Sequence, residues 1–476
     1  MKTKKVMVIG LDCAAPELVF ERWTDELPHL KRLIYSGVSG RLRSTDPPIT
    51  VPAWASMVTS KDPGQLGFYG FRNRVRYGYG GNRIVDSTDL REPTVWDILG
   101  KHGLRSIVIG VPPSYPPKPI RGCLISCFLT PDRSYPHTFP AKLAKEIERE
   151  VGAYQFDVDN FRTHDVGSLL ERIYEMTRIR FATARYLIQN KPWDFFMMVE
   201  MGTDRIHHAF WHYMDEQHVL YRSSPYKDAI REYYRFVDRE IGQLLELVDD
   251  DTVVMVVSDH GAKRMDGGFC INEWLIRQGL LKLKKPVNQP TPLTPELVDW
   301  KQTRAWGYGG YYGRLCINVK GREPHGIVPR SRYEWLRNRI VRELRTMKDE
   351  KGNPFKTRVI KPERKYVVTR NIPPDLLIYF GDLYWRSVGS VGMGSLFVYE
   401  NDTGPDGANH DYEGIFIAAK KGAPVRDEPR ALNRLHLMDV APTILREFGI
   451  PRRKGMQGKT IPIRLGPHPD IKKTRP

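Results

Sequence analysis

Short apolar runs alternate with longer segments of helical spacing along most of the chain. The first run, "KVMVIG", starts a few residues in and stops at "LD", so that Asp12 closes what reads as a buried strand. "PELVFERW" and "LPHLKRLIYSG" follow with helical spacing, the second ended by a glycine. "SIVIGVPP" is another short run, stopped by prolines. From Gly167 to Asn190 apolar residues recur at helical intervals and lead into "DFFMMVEMGTD", a helix followed by a buried strand. A second helix is expected over roughly Asp228 to Val248, where Ala229, Tyr233, Val237, Ile241, Leu244 and Leu245 are spaced by threes and fours. It feeds "DTVVMVVSDHG". Strand and helix in alternation predict an α/β fold whose parallel sheet is covered on both faces. Ligands of such sheets gather outside the carboxyl ends of the strands, and three runs end there in polar residues: Asp12, Asp204 and the pair Asp259–His260.

Between about Cys270 and Pro373 the pattern changes to aromatic and glycine-rich loops, a helix in "RYEWLRNRIVRELRTM" and a lysine-rich stretch. This segment reads as an insertion forming a cap lobe. The expected organisation is therefore a catalytic core over 1–269, an inserted cap or substrate lobe over 270–372, and the rest of the core over 373–476. Alternation returns in that last part with "PDLLIYF", "GSLFVYEN" and the helix "LMDVAPTILREFG", before a loose tail, "GPHPDIKKTRP".

Composition narrows the class. With 476 residues, 41% of them hydrophobic, the chain can bury a large core in two or more lobes. Lysine and arginine number 74 against 56 acids, and the formal charge of +18 suits anionic partners such as phosphorylated metabolites or nucleotides, with nucleic acid the weaker candidate. Five scattered cysteines make a poor disulfide framework, so a reducing, cytoplasmic setting is expected. "CLISC" has no matching second pair, and Cys123 and Cys127 read as buried thiols. The amino-terminal apolar run is shorter than the ~7–15 residues of a signal peptide. No uninterrupted apolar run approaches the ~18 residues of a membrane span. Oligomeric state is not legible.

The chemistry lies in the polar strand ends. In "GTDRIHHAFW" the i to i+4 spacing puts Asp204 and His208 on one helical face, where they can share a metal, while His207 points elsewhere. Asp259 and His260 are adjacent and can reach a single ion from a strand-end turn. With Asp12 and His410 they make three carboxylates and three imidazoles, a mixed set that suits zinc, with manganese as the alternative. Two such ions about 3.5–4 Å apart would clamp an in-line displacement at phosphorus. Thr50, in "STDPPITVPAWASMVTS", fits the nucleophile, because a helix is expected to start there and to aim backbone N–H groups at an anion. Its hydroxyl is a poor nucleophile when free, and metal coordination would generate the alkoxide.

These pieces resemble the alkaline phosphatase superfamily, and within it the type I phosphodiesterase/nucleotide pyrophosphatase branch and its phosphohydrolase/phosphomutase-like relatives. "VIGLD", "PPITVPAWASMVTS", "GTDRIHH", "VVSDHGA", "GANHDYEGIF" and "DVAPTILREFGIP" stand in the family's order and span most of the chain outside the cap. The resemblance implies a doubly wound, mostly parallel α/β fold with an inserted lobe. It assigns Asp204, His208 and His410 to one divalent metal, and Asp12, Asp259, His260 and the Thr50 oxygen to the other. It also implies a covalent phospho- or nucleotidyl-threonine on Thr50, hydrolysed by an activated water.

Departures from the family bear on substrate. Pyrophosphatases of this branch carry an asparagine beside the phosphate; here the turn reads "LGFYGFRNR", with Phe71 near that place and Arg72 or Asn73 as substitutes. Lys320 and Arg322 in "NVKGREPHG" are further candidates for a substrate phosphate. A sulfatase would need a cysteine or serine followed by proline and arginine, whereas Thr50 is followed by "VPAW". Phosphoglycerate mutases keep their last metal histidine close to the Asp–His pair, whereas a long segment separates His260 from His410. The expected function is a two-metal phosphohydrolase acting on phosphodiester or nucleotide-type substrates. A phosphomonoesterase or phosphomutase on the same site is the alternative enzyme, and a basic nucleotide-binding protein with a vestigial site is the alternative outside enzymes.

Overall fold

The structure is a computed structural model describing residues 4–463; the tail "GPHPDIKKTRP" lies outside the described residues. A ten-stranded sheet runs through the core. At its centre is Val6–Leu11, flanked by Phe195–Glu200 and Val253–Val257, both parallel to it and in register at Val6. Ser106–Ile109 and Gly122–Ile125 extend the parallel part on one side. On the other side Glu413–Lys420 runs antiparallel to Val253–Val257 and to Val38–Arg43. The three central strands are buried along their whole length, which is why they read as continuous apolar runs and not as alternating ones.

Helices pack on this sheet in two groups. Val166–Asn190, Gly202–Met214 and Ala229–Glu246 form one with Pro28–Ser36, and Thr50–Thr59, Val95–Lys101 and Val440–Glu447 form the other. The long helices fall within a residue or two of their expected bounds. "PELVFERW" differs: Glu17–Arg22 winds more widely, with Trp23 N donating to Leu18 O five residues back, before Pro28 opens an α-helix.

A second hydrophobic core is built by residues from Phe269 to Phe397. Its four-stranded antiparallel sheet contains Ala305–Tyr308, Gly313–Ile317, Leu376–Tyr379 and Arg358–Ile360. Its three-stranded sheet pairs Gly267–Cys270 with Trp385–Val388 and Phe397–Val398. Here the structure differs from the sequence reading. "PDLLIYF" and "GSLFVYEN", expected back in the main core, belong to these smaller sheets. Leu376–Tyr379 is buried on both faces, so its apolar pattern marks it as a strand without specifying which sheet receives it. The excursion is closed by a two-stranded ribbon in which Gly261–Arg264 runs antiparallel to Ala408–Asp411.

Candidate active site

Asp12 stands at the carboxyl end of the central strand and is fully buried. Its Oδ2 accepts a hydrogen bond of 2.7 Å from Trp54 Nε1, and its Oδ1 has no hydrogen-bond partner among the described residues. Gly10 makes room for this contact, since a Cβ there would lie 2.4 Å from the Trp54 ring. Cys13 then turns the chain through a left-handed conformation (φ 64°), and its N–H donates to Asp259 Oδ1 at 3.2 Å. The two strand ends are thereby locked side by side. Asp259 Oδ2 also has no hydrogen-bond partner among the described residues and lies 3.2 Å from His260 Nε2.

Asp204 and His208 share a face of the helix Gly202–Met214, with Asp204 Oδ1 3.2 Å from His208 Nε2. His207 points the other way, onto the Tyr234 hydroxyl at 3.1 Å. Arg205 bonds Asp204 Oδ2 and forms a fork onto Asp157, at 2.8 and 2.5 Å. The other ring nitrogen of His208 lies 2.8 Å from Asp406 Oδ1, the carboxylate–imidazole pairing that orients metal-binding histidines. Sequence reasoning missed Asp406; its only signal was an aspartate four residues before His410, in a stretch that reads as loop. His410 is fixed through Nδ1 by the Pro48 carbonyl at 2.9 Å, which leaves its Nε2 without a hydrogen-bond partner among the described residues, 3.7 Å from Asp204 Oδ1. Tyr311 stacks on His208 and His410, with ring centroids 4.8 and 4.2 Å away.

Thr50 opens the buried helix Thr50–Thr59, and its Oγ1 lies 3.4 Å from His260 Nε2. The positive end of that helix faces the same place. Two groups of ligand atoms meet here, each within a 4.8 Å span: Asp204, His260 and His410, and Asp12, Asp259 and His260. His260 stands between them. His208 is bonded directly to Asp204 and lies outside the first group, although the resemblance places it there.

The electrostatics fit a cation. Burial, reinforced by neighbouring carboxylates, holds the Asp12 and Asp259 carboxyls well above the usual range. Burial works against the Asp204 charge too, but His208 and Arg205 outweigh it and hold that carboxyl well below the usual range. Burial pushes His260 down to about 4 and His410 well below its ordinary value, leaving both rings neutral with lone pairs to offer. Burial would lower His208 as well, yet Asp406 and Asp204 on either side raise it to about 9, a proton sitting where a cation would. Orphaned buried oxygens, neutral imidazoles and mutually unfavourable carboxylates make up a donor set suited to divalent metal.

Thr50, Asp204 and His410 lie on the wall of a cavity of about 630 Å³. Its wall also includes Phe71, Arg72 and Tyr79 from the segment after the nucleophile helix, and Tyr308, Tyr311 and Arg314 from the second lobe. Of the four expected substrate residues only Arg72 lines this cavity. Asn73 accepts from Tyr69 N and donates to Gly67 O, both at 3.0 Å, so its amide braces the turn. Arg322 forms a fork onto Asp375 at 2.8 and 2.7 Å inside the second lobe. Lys320 sits exposed on a turn away from the cavity. All five cysteines are buried and unpaired.

Comparisons with known proteins bear on the family and the fold. The sequence pattern of the type I phosphodiesterase / nucleotide pyrophosphatase family matches residues 6–413. No curated protein matches the chain significantly. Among solved structures, phosphonoacetate hydrolase from Sinorhizobium meliloti 1021, in complex with phosphonoformate, is similar with a TM-score of 0.58, 16% identity, and coverage of 94% of this chain and 95% of that one. Human ectonucleotide pyrophosphatase / phosphodiesterase 5 is similar with a TM-score of 0.54, 12% identity, and coverage of 94% and 96%. At these identities the likeness is one of fold.

Proposed function

Because the chain belongs to the type I phosphodiesterase / nucleotide pyrophosphatase family and is a phosphoric ester hydrolase, we propose that it cleaves phosphodiester or nucleotide-type substrates through a covalent intermediate on Thr50. The observation that carries this reading is the Thr50 hydroxyl, 3.4 Å from His260 and on the wall of the cavity, beside the two groups of ligand atoms.

Asp12, Asp259 and His260 would hold one divalent ion with the Thr50 oxygen, and Asp204, His208 and His410 the other. Zinc is the expected ion and manganese the alternative, since carboxylates and imidazoles serve both. Bound there, the metals would lower the pKa of the Thr50 hydroxyl and of a water, and offset charge developing on the phosphoryl oxygens. Thr50 Oγ1 then forms a bond to phosphorus as the bond to the leaving oxygen breaks. A water oxygen next forms a bond to phosphorus as the Oγ1–phosphorus bond breaks, and Thr50 is restored. Trp54 and Cys13 keep the Asp12 and Asp259 carboxylates aimed, and Asp406 keeps the His208 ring aimed.

A monoesterase or phosphomutase on this site would share the first step. Turnover of bis-(p-nitrophenyl) phosphate against p-nitrophenyl phosphate by the metal-loaded protein separates the readings, with the diester expected to be the better substrate. Thr50→Ala should lower kcat by at least about 10³-fold; full metal-dependent turnover in that variant would rule out the covalent route. No helix among the described residues is long and apolar enough to cross a membrane. The buried, unpaired cysteines are the observation that favours a reducing compartment, and we place the protein in the cytoplasm.

A further inference from the structure

Five arginines line the cavity that contains Thr50. Arg205 is paired with Asp157 and Asp204, Arg162 with Asp406, and Arg386 lies 3.9 Å from Asp402 and 4.0 Å from Asp406. Arg72 and Arg314 differ from these, because no ion pair joins either of them to a carboxylate among the described residues. They are nevertheless held together: Arg314 Nη1 donates to the Arg72 carbonyl at 2.6 Å. Arg314 also lies over the Tyr308 ring, 5.4 Å from its centroid, which steadies the plane of its fork.

The frame around the pair is stiff. Arg72 follows the turn that Asn73 braces, and the Tyr312 hydroxyl donates to the Tyr69 carbonyl in the same turn. Ile49, next to the nucleophile, packs in one cluster with Tyr69 and Tyr312, so that frame is continuous with Thr50. Arg72 comes from the core's hairpin and Arg314 from the second lobe's strand Gly313–Ile317. Beyond them Tyr79 stacks on Trp300 with centroids 3.5 Å apart.

Two cationic side chains on one cavity wall, neither joined to a carboxylate among the described residues, mark a place where an anion is to be received. A single carboxylate would balance one of them, whereas a dianionic phosphoryl group balances both and matches two guanidinium forks. The scissile phosphoryl group belongs at Thr50, so this second group is carried elsewhere on the same substrate. We propose that Arg72 and Arg314 form a second anion subsite, and that the substrates of this enzyme are phosphoric esters bearing a phosphoryl group remote from the one attacked. The cavity of about 630 Å³ has room for such a molecule. This inference rests on the phosphohydrolase reading above.

The test uses two compounds with the same scissile ester and leaving group: the p-nitrophenyl ester of thymidine 5′-phosphate, and the same ester carrying a 3′-phosphate. With the zinc-loaded full chain, the 3′-phosphorylated compound should show kcat/KM higher by about tenfold, mostly through KM. In Arg314→Gln and in Arg72→Gln that preference should fall by about fivefold or more, and in the double variant it should approach one. Arg72 is exposed, so its variant stays informative even where Arg314→Gln folds poorly. A wild-type enzyme that cleaves both compounds without preference, or a preference that survives in the double variant, would overturn the second subsite and leave the hydrolase reading standing. Cleavage of neither compound would overturn both.

Discussion

Trp54 holds Asp12 by one oxygen and leaves the other aimed at its neighbours, and the same division of labour recurs at Asp259 and His410. Each of these residues has one atom occupied by the fold and one left for chemistry. Asp12, Asp204, Asp259, His260 and Thr50 stand out in the sequence as candidates because they are polar residues at the ends of apolar runs or at a helix start; helical spacing from Asp204 adds His208, and the family motifs support His410. Asp406 was not legible, since its role comes from a contact with His208 across 198 positions of chain and no local spacing encodes that. Its amide variant makes the point testable. Asp406→Asn should weaken metal binding by about 10–100-fold while leaving the fold intact, read by metal titration of the apoprotein beside its melting temperature. Unchanged metal affinity would make Asp406 only an anchor for Arg162 and Tyr311.

At the scale of elements, the helix Gly202–Met214 depends on a close approach at its first residue. A Cβ on Gly202 would lie 1.9 Å from the Tyr233 hydroxyl and 2.8 Å from Glu200 Oε1. Gly202→Ala should therefore destabilise the protein by about 1–3 kcal/mol, and it should lower metal affinity as well, because the helix carries Asp204 and His208. Thermal melts with and without metal separate the two effects; loss of stability with unchanged affinity would show that the helix moves as a rigid unit. The long helices were read closely from sequence because their periodicity extends over many residues. Leu376–Tyr379 went to another sheet because a strand apolar on both faces carries no sign of its partners.

Across the whole molecule the lobes are tied together near the nucleophile. Asp46, four residues before Thr50, pairs with Arg358 at 3.1 Å and Lys365 at 2.8 Å from the excursion. Burial opposes the Asp46 charge, but the two cations outweigh it and hold the carboxyl below its ordinary value of 3.8. A carboxyl whose folded value is depressed contributes stability above its unfolded value, and that contribution fades as pH falls through the folded one. At pH 7, Asp46→Asn should cost about 1–3 kcal/mol, and the gap between variant and wild type should close as pH drops below 3.8. A gap that persists in acid would assign the loss to packing. The change of pattern after Cys270 was visible in the sequence, whereas these ties were not, because each joins residues from separate segments of the chain.

The ribbon that closes the excursion gives the ligand site a mechanical aspect. Gly261–Arg264 follows His260 directly, and its partner strand Ala408–Asp411 contains His410, with Ala262 opposite His410 in register. His260 and His410 therefore stand at the two ends of one very long loop, their rings stacked with centroids 3.8 Å apart. Any ion shared by residues on both ends acts as a clasp on that loop, and closing a long loop removes more chain entropy from the open state than closing a short one. Chelation should then unfasten the excursion as well as silence the enzyme. Limited proteolysis of the chelated protein would show this as cuts at the foot of the second lobe that metal suppresses.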